Sequence, residues 1–411
     1  MTDTVDPTRA EGAPTGGSLL TPRFVLVVTA GLCYFVSLAM LTPVIPHYVE
    51  DELNGGSLAV GVAVGSFAFG AVVLRTYAGR LGDQIGRRVL IVSGAGIVAV
   101  TTAAYGLVPS LWWIVLMRLV TGFGEAAFFV GAATMITDLA PPHRRGEAVS
   151  YWSIAVYGGL SFGPALGEAV RGDDRYTAAW LVSAGFAAAA MLVGLMTREV
   201  ARSAPPAEKG HLIHRAAVLP GTVLFLGLIP LAGFSAFMPL YAEDTLNIKA
   251  GPIFLLYGML VLIVRIVGAR LPDRLGARVS GTGALAFSGL GIAIMAIWPT
   301  VGGLVAGTIV FAAGMSLMYP ALLLMSLTGV PDNERASVVG TFSSFFDLSQ
   351  GIGAPICGIA VVLAGDRGAF AAGAITAAFG LFVLWKFGPS AERAALARGG
   401  DAAVVPPENF A

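Results

Sequence analysis

Long apolar stretches alternate along this chain with short breaks rich in charge, proline and glycine. Twelve such stretches stand out, near residues 24–46, 58–79, 89–108, 112–139, 147–170, 177–196, 217–241, 251–271, 279–298, 301–328, 336–364 and 369–387. Roughly 20 mainly apolar residues in a helix cross a bilayer core about 30 Å thick, so each stretch predicts one membrane-spanning helix. The runs are continuous and lack the alternation of apolar and polar residues that a barrel strand shows, which leaves helices as the spanning element. The pattern therefore predicts an all-α membrane protein of twelve transmembrane helices. The first run is too long for a signal-peptide core and follows a polar tail containing Pro14, Gly16, Gly17 and Ser18, so it reads as retained.

Composition agrees with the pattern. The 411 residues are 56% hydrophobic and only 12% charged, whereas a soluble domain carries about 25% charged residues, and no soluble fold could cover so much apolar surface. Formal net charge is zero, yet the charges are unevenly placed. With the amino terminus inside, the cytoplasmic breaks hold Arg80, Arg87, Arg88, Arg144, Arg145, Arg198, Lys209, Arg270, Arg278, Arg335 and Lys386 among others, and the external ones hold only the basic residues Arg171, Arg175, Lys249 and Arg367, with Glu50, Asp51, Glu52, Asp173, Asp174, Glu243 and Asp244. Basic residues beside helix ends set orientation, so both termini are expected in the cytoplasm of a multi-pass inner (plasma) membrane protein.

Candidate chemistry is sparse outside the spans. Cys33 and Cys357 fall within helices and read as packing residues. The four histidines form no metal-ligand pattern, and no Gly-Lys-Ser phosphate loop exists. An enzyme, a cofactor, a metal and ATP-driven pumping are not expected, nor is a nucleic-acid partner.

The chain repeats itself. An offset of 190 residues sets Arg75, Arg80, Leu81, Asp83, Gly86, Arg88 and Val89 over Arg265, Arg270, Leu271, Asp273, Gly276, Arg278 and Val279. The same register sets Pro141 on Pro331, Arg145 on Arg335 and Gly163 on Gly353. The reading is a cytoplasmic tail (1–23), a six-helix bundle (24–196), a cytoplasmic linker (197–216), a second bundle (217–387) and a polar, mobile tail (388–411).

The break after the second run reads Gly79-Arg80-Leu81-Gly82-Asp83-Gln84-Ile85-Gly86-Arg87-Arg88. It closely resembles the signature between helices 2 and 3 of the major facilitator superfamily, and recurs, degraded, at Gly268 to Arg278. Arg118 to Ala126 in the fourth run and Gly159-Leu-Ser-Phe-Gly163-Pro164-Ala-Leu-Gly167 in the fifth add two further matches. Together with the doubled plan, the resemblance covers residues 20–390 and points to the twelve-helix drug and metabolite proton antiporters. It implies that Asp83 latches the cytoplasmic side near the start of helix 11, where a helix dipole favours an anion. It further implies that Arg87 pairs with Asp138, that Arg118 takes part in proton coupling, and that the Gly159 to Gly167 run bends and packs helix 5 as in exporters. In the second copy Ala277 and Thr328 stand at the Arg87 and Asp138 positions, so Asp273 should be a weaker latch. Glu168 stands where the exporter run has a glycine.

Five ionisable residues lie inside spans: Arg75, Arg118, Glu125, Arg265 and Asp347. Such groups are costly unless they face a cavity or a partner. Arg118 and Glu125, seven residues apart, share a helix face, and Asp347 lies near the middle of its helix beside Ser343, Ser344 and Gln350. Carboxyl groups in apolar cavities hold protons more readily than in water, so Glu125 and Asp347 are candidates for proton exchange or substrate contact; alternatively each is neutralised by a fixed partner and ties helices together. Arg75 and Arg265, repeat equivalents near inner helix ends, are expected to snorkel to the interface. Tyr34, Trp152, Tyr157, Phe237 and Tyr319, with Asp347, are candidate substrate contacts, and His47 reads as a helix-end residue without chemistry. The expected activity is export of a small organic molecule by a monomeric, proton-coupled antiporter; uptake by proton symport uses the same parts, and a non-transporting sensor or membrane enzyme has less to support it. The sequence does not identify the cargo.

Overall fold

A computed structural model describes residues 19–141, 144–172, 175–199, 214–268, 271–331 and 334–402. Every regular element in them is helical, and the twelve long helices follow the twelve apolar runs. They are α1 (Pro22–His47), α2 (Ser57–Ile85), α3 (Arg87–Ala104), α4 (Leu111–Leu139), α5 (Arg145–Arg171), α6 (Tyr176–Met196), α7 (Arg215–Leu240), α8 (Gly251–Val267), α9 (Ala277–Ile297), α10 (Val301–Leu327), α11 (Arg335–Ala364) and α12 (Gly368–Ala402). Exposed apolar side chains such as Val100, Trp112, Leu363 and Trp385 form an outer surface suited to a lipid bilayer.

Local chemistry sets the helix ends. Thr21 Oγ1 accepts the Phe24 N–H at 3.2 Å, Thr300 Oγ1 accepts the Gly303 N–H at 3.1 Å, and His214 Nδ1 accepts the Ala216 N–H at 3.2 Å, each satisfying an orphan donor of a first turn. The tail differs from the sequence expectation. α12 continues past Phe387 to Ala402, because Ala391, Arg393, Ala394, Ala395, Leu396, Ala397 and Arg398 are strong helix formers.

A second repeat, offset by 193 residues, closes one end of each half. α1 runs into a π-helical turn at Tyr48–Glu52, and α7 into another at Tyr241–Thr245. Both carry Tyr-x-Glu-Asp and both finish on an asparagine in the left-handed region, Asn54 at φ 50° and Asn247 at φ 57°. A fixed offset of 190 passes over this pair. These turns define an acidic face, opposite the basic face that carries Arg87, Arg88 and Arg144.

The two halves meet differently toward the two faces. On the acidic side one core is shared: Leu41, Val44, Tyr48, Val60 and Ala63 pack with Ile229, Ala236, Phe237, Leu240, Ala354 and Cys357. Toward the basic face the first half has its own core around Phe24, Tyr34, Phe128 and Trp152, and the second half's core, which runs from Val338 and Phe342 to Tyr241 at the acidic turn, draws on that half alone. Helix backbones of opposite halves approach closely along two seams. In the α2/α11 seam, a methyl group on Gly61 would lie 2.5 Å from the Ala354 carbonyl oxygen; in the α5/α8 seam, one on Gly258 would lie 2.5 Å from Ser161 Cα.

Candidate functional site

α2, α4 and α11 bring three ionisable side chains to one point near mid-membrane. Arg75 Nη2 lies 2.6 Å from Glu125 Oε2, and Arg75 Nε lies 3.2 Å from Asp347 Oδ2. Both carboxylates are buried and Arg75 is only 20% exposed, so the pairs are shielded from screening by salt. Phe129 covers the guanidinium, its ring centroid 5.1 Å from Cζ. Arg75 thus does not snorkel. It joins two acids, one from its own half and one from the other, and two carboxylates against one guanidinium leave one surplus negative charge when both are ionised.

Arg118 is buried on the same face of α4 as Glu125 but turns elsewhere. It donates to the α2 carbonyls of Ala63 (3.3 Å) and Val64 (3.0 Å) and lies over Phe67, 4.7 Å from the centroid. Arg265 stands at the repeat position of Arg75, in the other seam, with Cζ 4.1 Å from the centroid of the Tyr157 ring. Tyr157 is the repeat equivalent of Asp347, Met315 that of Glu125 and Tyr319 that of Phe129. One contact is therefore built twice, with acids in one seam and without them in the other.

The aromatic candidates scatter in depth. Tyr34 is fully buried and stacked on Phe128 at 3.7 Å. Trp152 packs on Phe35 and Phe129. Phe237 belongs to the core shared on the acidic side, and the Tyr319 hydroxyl lies 3.2 Å from Ser343 Oγ.

The signature loop has a visible local logic. Gly86 sits at φ 101°, a conformation that side chains rarely adopt. The Glu199 carboxylate accepts the backbone N–H groups of Arg87 (2.9 Å) and Arg88 (3.0 Å) at the start of α3, an anion on a helix N-terminus. Arg88 also donates to the Leu195 carbonyl at 2.6 Å, and Arg87 forms an ion pair with Asp138. Glu199 escapes sequence reasoning because it follows α6, far along the chain. The surroundings of Gly79, Asp83 and Asp273 lie outside the described residues. In α5, methyl groups on Gly159 and Gly163 would meet the Val36 nitrogen at 2.8 Å and carbonyl oxygen at 3.0 Å, and one on Gly167 would meet the Met40 carbonyl carbon at 2.8 Å. The run, with Pro164 inside it, is the face on which α1 packs.

The acidic side carries a cluster that the sequence reading did not assemble. Arg171 Nη2 lies 2.7 Å from both Glu243 carboxylate oxygens, and His47 Nε2 lies 3.4 Å from Glu243 Oε1. Arg171 and His47 belong to the first half and Glu243 to the second, so the cluster ties the halves together. Glu168 lies against the start of α8, its Oε2 2.9 Å from where a Gly251 methyl group would stand. The tyrosine of the next helix, Tyr176, donates its hydroxyl to Asp51.

The sequence profile of the Major Facilitator Superfamily matches residues 27–354 and 253–408. The chain belongs to the Major Facilitator Superfamily. It is 29% identical over 368 residues to STM4428 of Salmonella typhimurium, an uncharacterized MFS-type transporter, spanning 85% of this chain and 92% of that one. It is 26% identical over 390 residues to YhhS of Escherichia coli, another uncharacterized MFS-type transporter, spanning 90% and 93%. Among solved structures, the nucleoside transporter NupG superposes with a TM-score of 0.72 at 14% identity over 91% of this chain and 99% of that one. The human organic anion transporter MFSD10 superposes with a TM-score of 0.68 at 17% identity, over 88% and 98%. These likenesses establish the fold. This member of the superfamily is a membrane transporter and not an enzyme, and a small-molecule substrate and a lipid bilayer are its partners.

Proposed function

We propose that this transporter is a monomeric proton-coupled antiporter that exports a small organic molecule across the bacterial inner membrane by alternating access. The basic face then lies in the cytoplasm with both termini, and the core shared on the acidic side supports an inward-facing state in which Arg171, Glu243 and His47 seal the external end. The observation that carries the reading is Arg75 bridging Glu125 and Asp347 across the two halves. The surplus negative charge of this cluster can be cancelled by one proton or by the cationic or polar end of a cargo. The two ligands compete, and competition for one charge is what exchange requires. Because Asp347 comes from the opposite half, its protonation also loosens a tie between the halves, which links proton uptake to their rocking.

Asp347→Asn and Glu125→Gln should each abolish pH-gradient-driven flux in proteoliposomes while leaving membrane insertion intact; normal flux in both would remove the proposal. One feature weakens the export reading, namely Glu168 in place of a glycine at the exporter run's final position, and uptake by symport is the alternative. Everted vesicles separate the two: antiport alkalinises the lumen when substrate is added, and symport running in reverse acidifies it.

A further inference from the structure

The repeat places two arginines in two inter-half seams and neutralises only one. Arg75 has Glu125 and Asp347. At Arg265 the equivalent positions hold Met315 and Tyr157, and among the described residues no carboxylate reaches ion-pair distance of its guanidinium. Arg265 stands in the last turn of α8, two residues before Val267, about 21 Å from the acidic end at 1.5 Å per residue and on the side of the basic face. A guanidinium there, inside an apolar run, faces a cavity, a partner or the nearer interface. Tyr157 supplies a π-face at 4.1 Å, which occupies one side of the plane and not its in-plane N–H donors, the geometry that suits a bidentate acceptor.

The two seams are separate contacts. Asp347 and Arg75 join α11 to α2, while Arg265 and Tyr157 join α8 to α5. The charge left over is negative at the first and positive at the second, so the two seams are oppositely charged; Arg118, the third buried arginine, spends its donors on the α2 carbonyls of Ala63 and Val64. A molecule that satisfies both ends without carrying net charge is a zwitterion.

We propose that Arg265 docks an anionic group of the cargo, a carboxylate or similar planar oxyanion, so that the transported molecule is a zwitterion whose cationic end lies toward the Arg75–Glu125–Asp347 cluster. This rests on the reading that the central cluster is the exchange site and names the class of molecule that uses it. A plain cation would leave Arg265 uncompensated, and a plain anion would leave the surplus charge of the cluster to the proton alone.

The test is binding to the purified full chain in nanodiscs without a pH gradient. The probes are amino carboxylates of graded charge separation, from glycine to long ω-amino acids, each with its matched alkylamine and matched carboxylate. At least one zwitterion should bind tenfold or more tightly than both matched partners. Arg265→Gln should reduce it to the level of the amine without weakening the amine's own binding. Should the glutamine variant not fold, Arg265→Lys, which keeps the charge but not the planar fork, should keep the ranking with a smaller margin. Saturable binding by no zwitterion, equal binding by a matched single-charge partner, or a preference that survives Arg265→Gln overturns the proposal. Flux distinguishes this from failure of coupling. If Asp347→Asn abolishes pH-driven transport while Arg265→Gln leaves selectivity untouched, coupling stands and zwitterion docking falls; the opposite pattern keeps docking and removes coupling.

Discussion

The α2/α11 and α5/α8 seams descend from one repeated unit, yet they hold the halves together at different depths. In the first, an ion pair near mid-membrane, Arg75 to Asp347 at 3.2 Å, ties one half to the other. In the second, the equivalent arginine lies over the Tyr157 ring with no carboxylate at ion-pair distance among the described residues, and the charged tie on that side sits at the acidic face, where Arg171 on α5 grips Glu243. The difference shows how a duplicated fold acquires direction. Matching backbones give the two seams the same frame, and a few side chains break the symmetry, so that one seam carries two acids against its arginine and the other carries Met315 and Tyr157 at the same positions.

The comparison is tested most severely at Arg75. Arg75→Gln leaves two buried carboxylates facing one another without a cation, and removing one partner of a buried pair costs about 3–5 kcal/mol. A large fall in thermal midpoint is expected, partly recovered when Asp347→Asn is added, because the remaining acid is then alone. A midpoint close to that of the unmodified chain would mean that the two seams are energetically alike.

Glu243→Gln asks how much the acidic-face tie contributes. It weakens charge-assisted hydrogen bonds worth about 1.5–3 kcal/mol, so the sealed state should lose roughly tenfold or more in relative population. Cys357 is a native reporter, being fully buried in the shared core beside Gly233. In a Cys33→Ser background, Glu243→Gln should speed maleimide labelling of Cys357 by about that factor. Unchanged labelling would place the closure of the acidic face elsewhere.

How much of this was legible in the sequence differs between fold and site. The twelve apolar runs gave the twelve helices, because bilayer thickness fixes a length that composition alone can satisfy. Which residues share the midplane was not legible. Arg75 meets partners 50 and 272 positions away along the chain, and the rotation of each helix about its axis is decided by packing, such as the glycine approaches at Gly61 and Gly258. Snorkelling was a sound general expectation for Arg75 and failed because two acids offered a nearer partner than water. A usable signal existed in the repeat itself. Aligning Asp347 with Tyr157 and Glu125 with Met315 already marks Arg265 as the copy stripped of its counter-ions. The turns at Tyr48 and Tyr241 were passed over because they follow an offset of 193 residues and not 190.

The smallest expected effect is the most pointed. Arg265→Gln removes a guanidinium that has an aromatic face but no carboxylate among the described residues. The interaction lost is a cation–π contact worth about 0.5–1 kcal/mol at a partly exposed site, and it is offset by removal of an uncompensated charge from the membrane interior. Thermal stability without ligand should therefore shift by less than about 1 kcal/mol, several-fold less than for Arg75→Gln, although the substitution is identical and the positions are equivalent in the repeat. A loss as large as at Arg75 would reveal an anionic partner for Arg265 within the folded chain. It would make the second seam a structural tie like the first, with no donors left for cargo. A small change, together with lost selectivity for zwitterions, would assign the two copies of one ancestral arginine to different tasks, one holding the halves together and the other receiving the cargo.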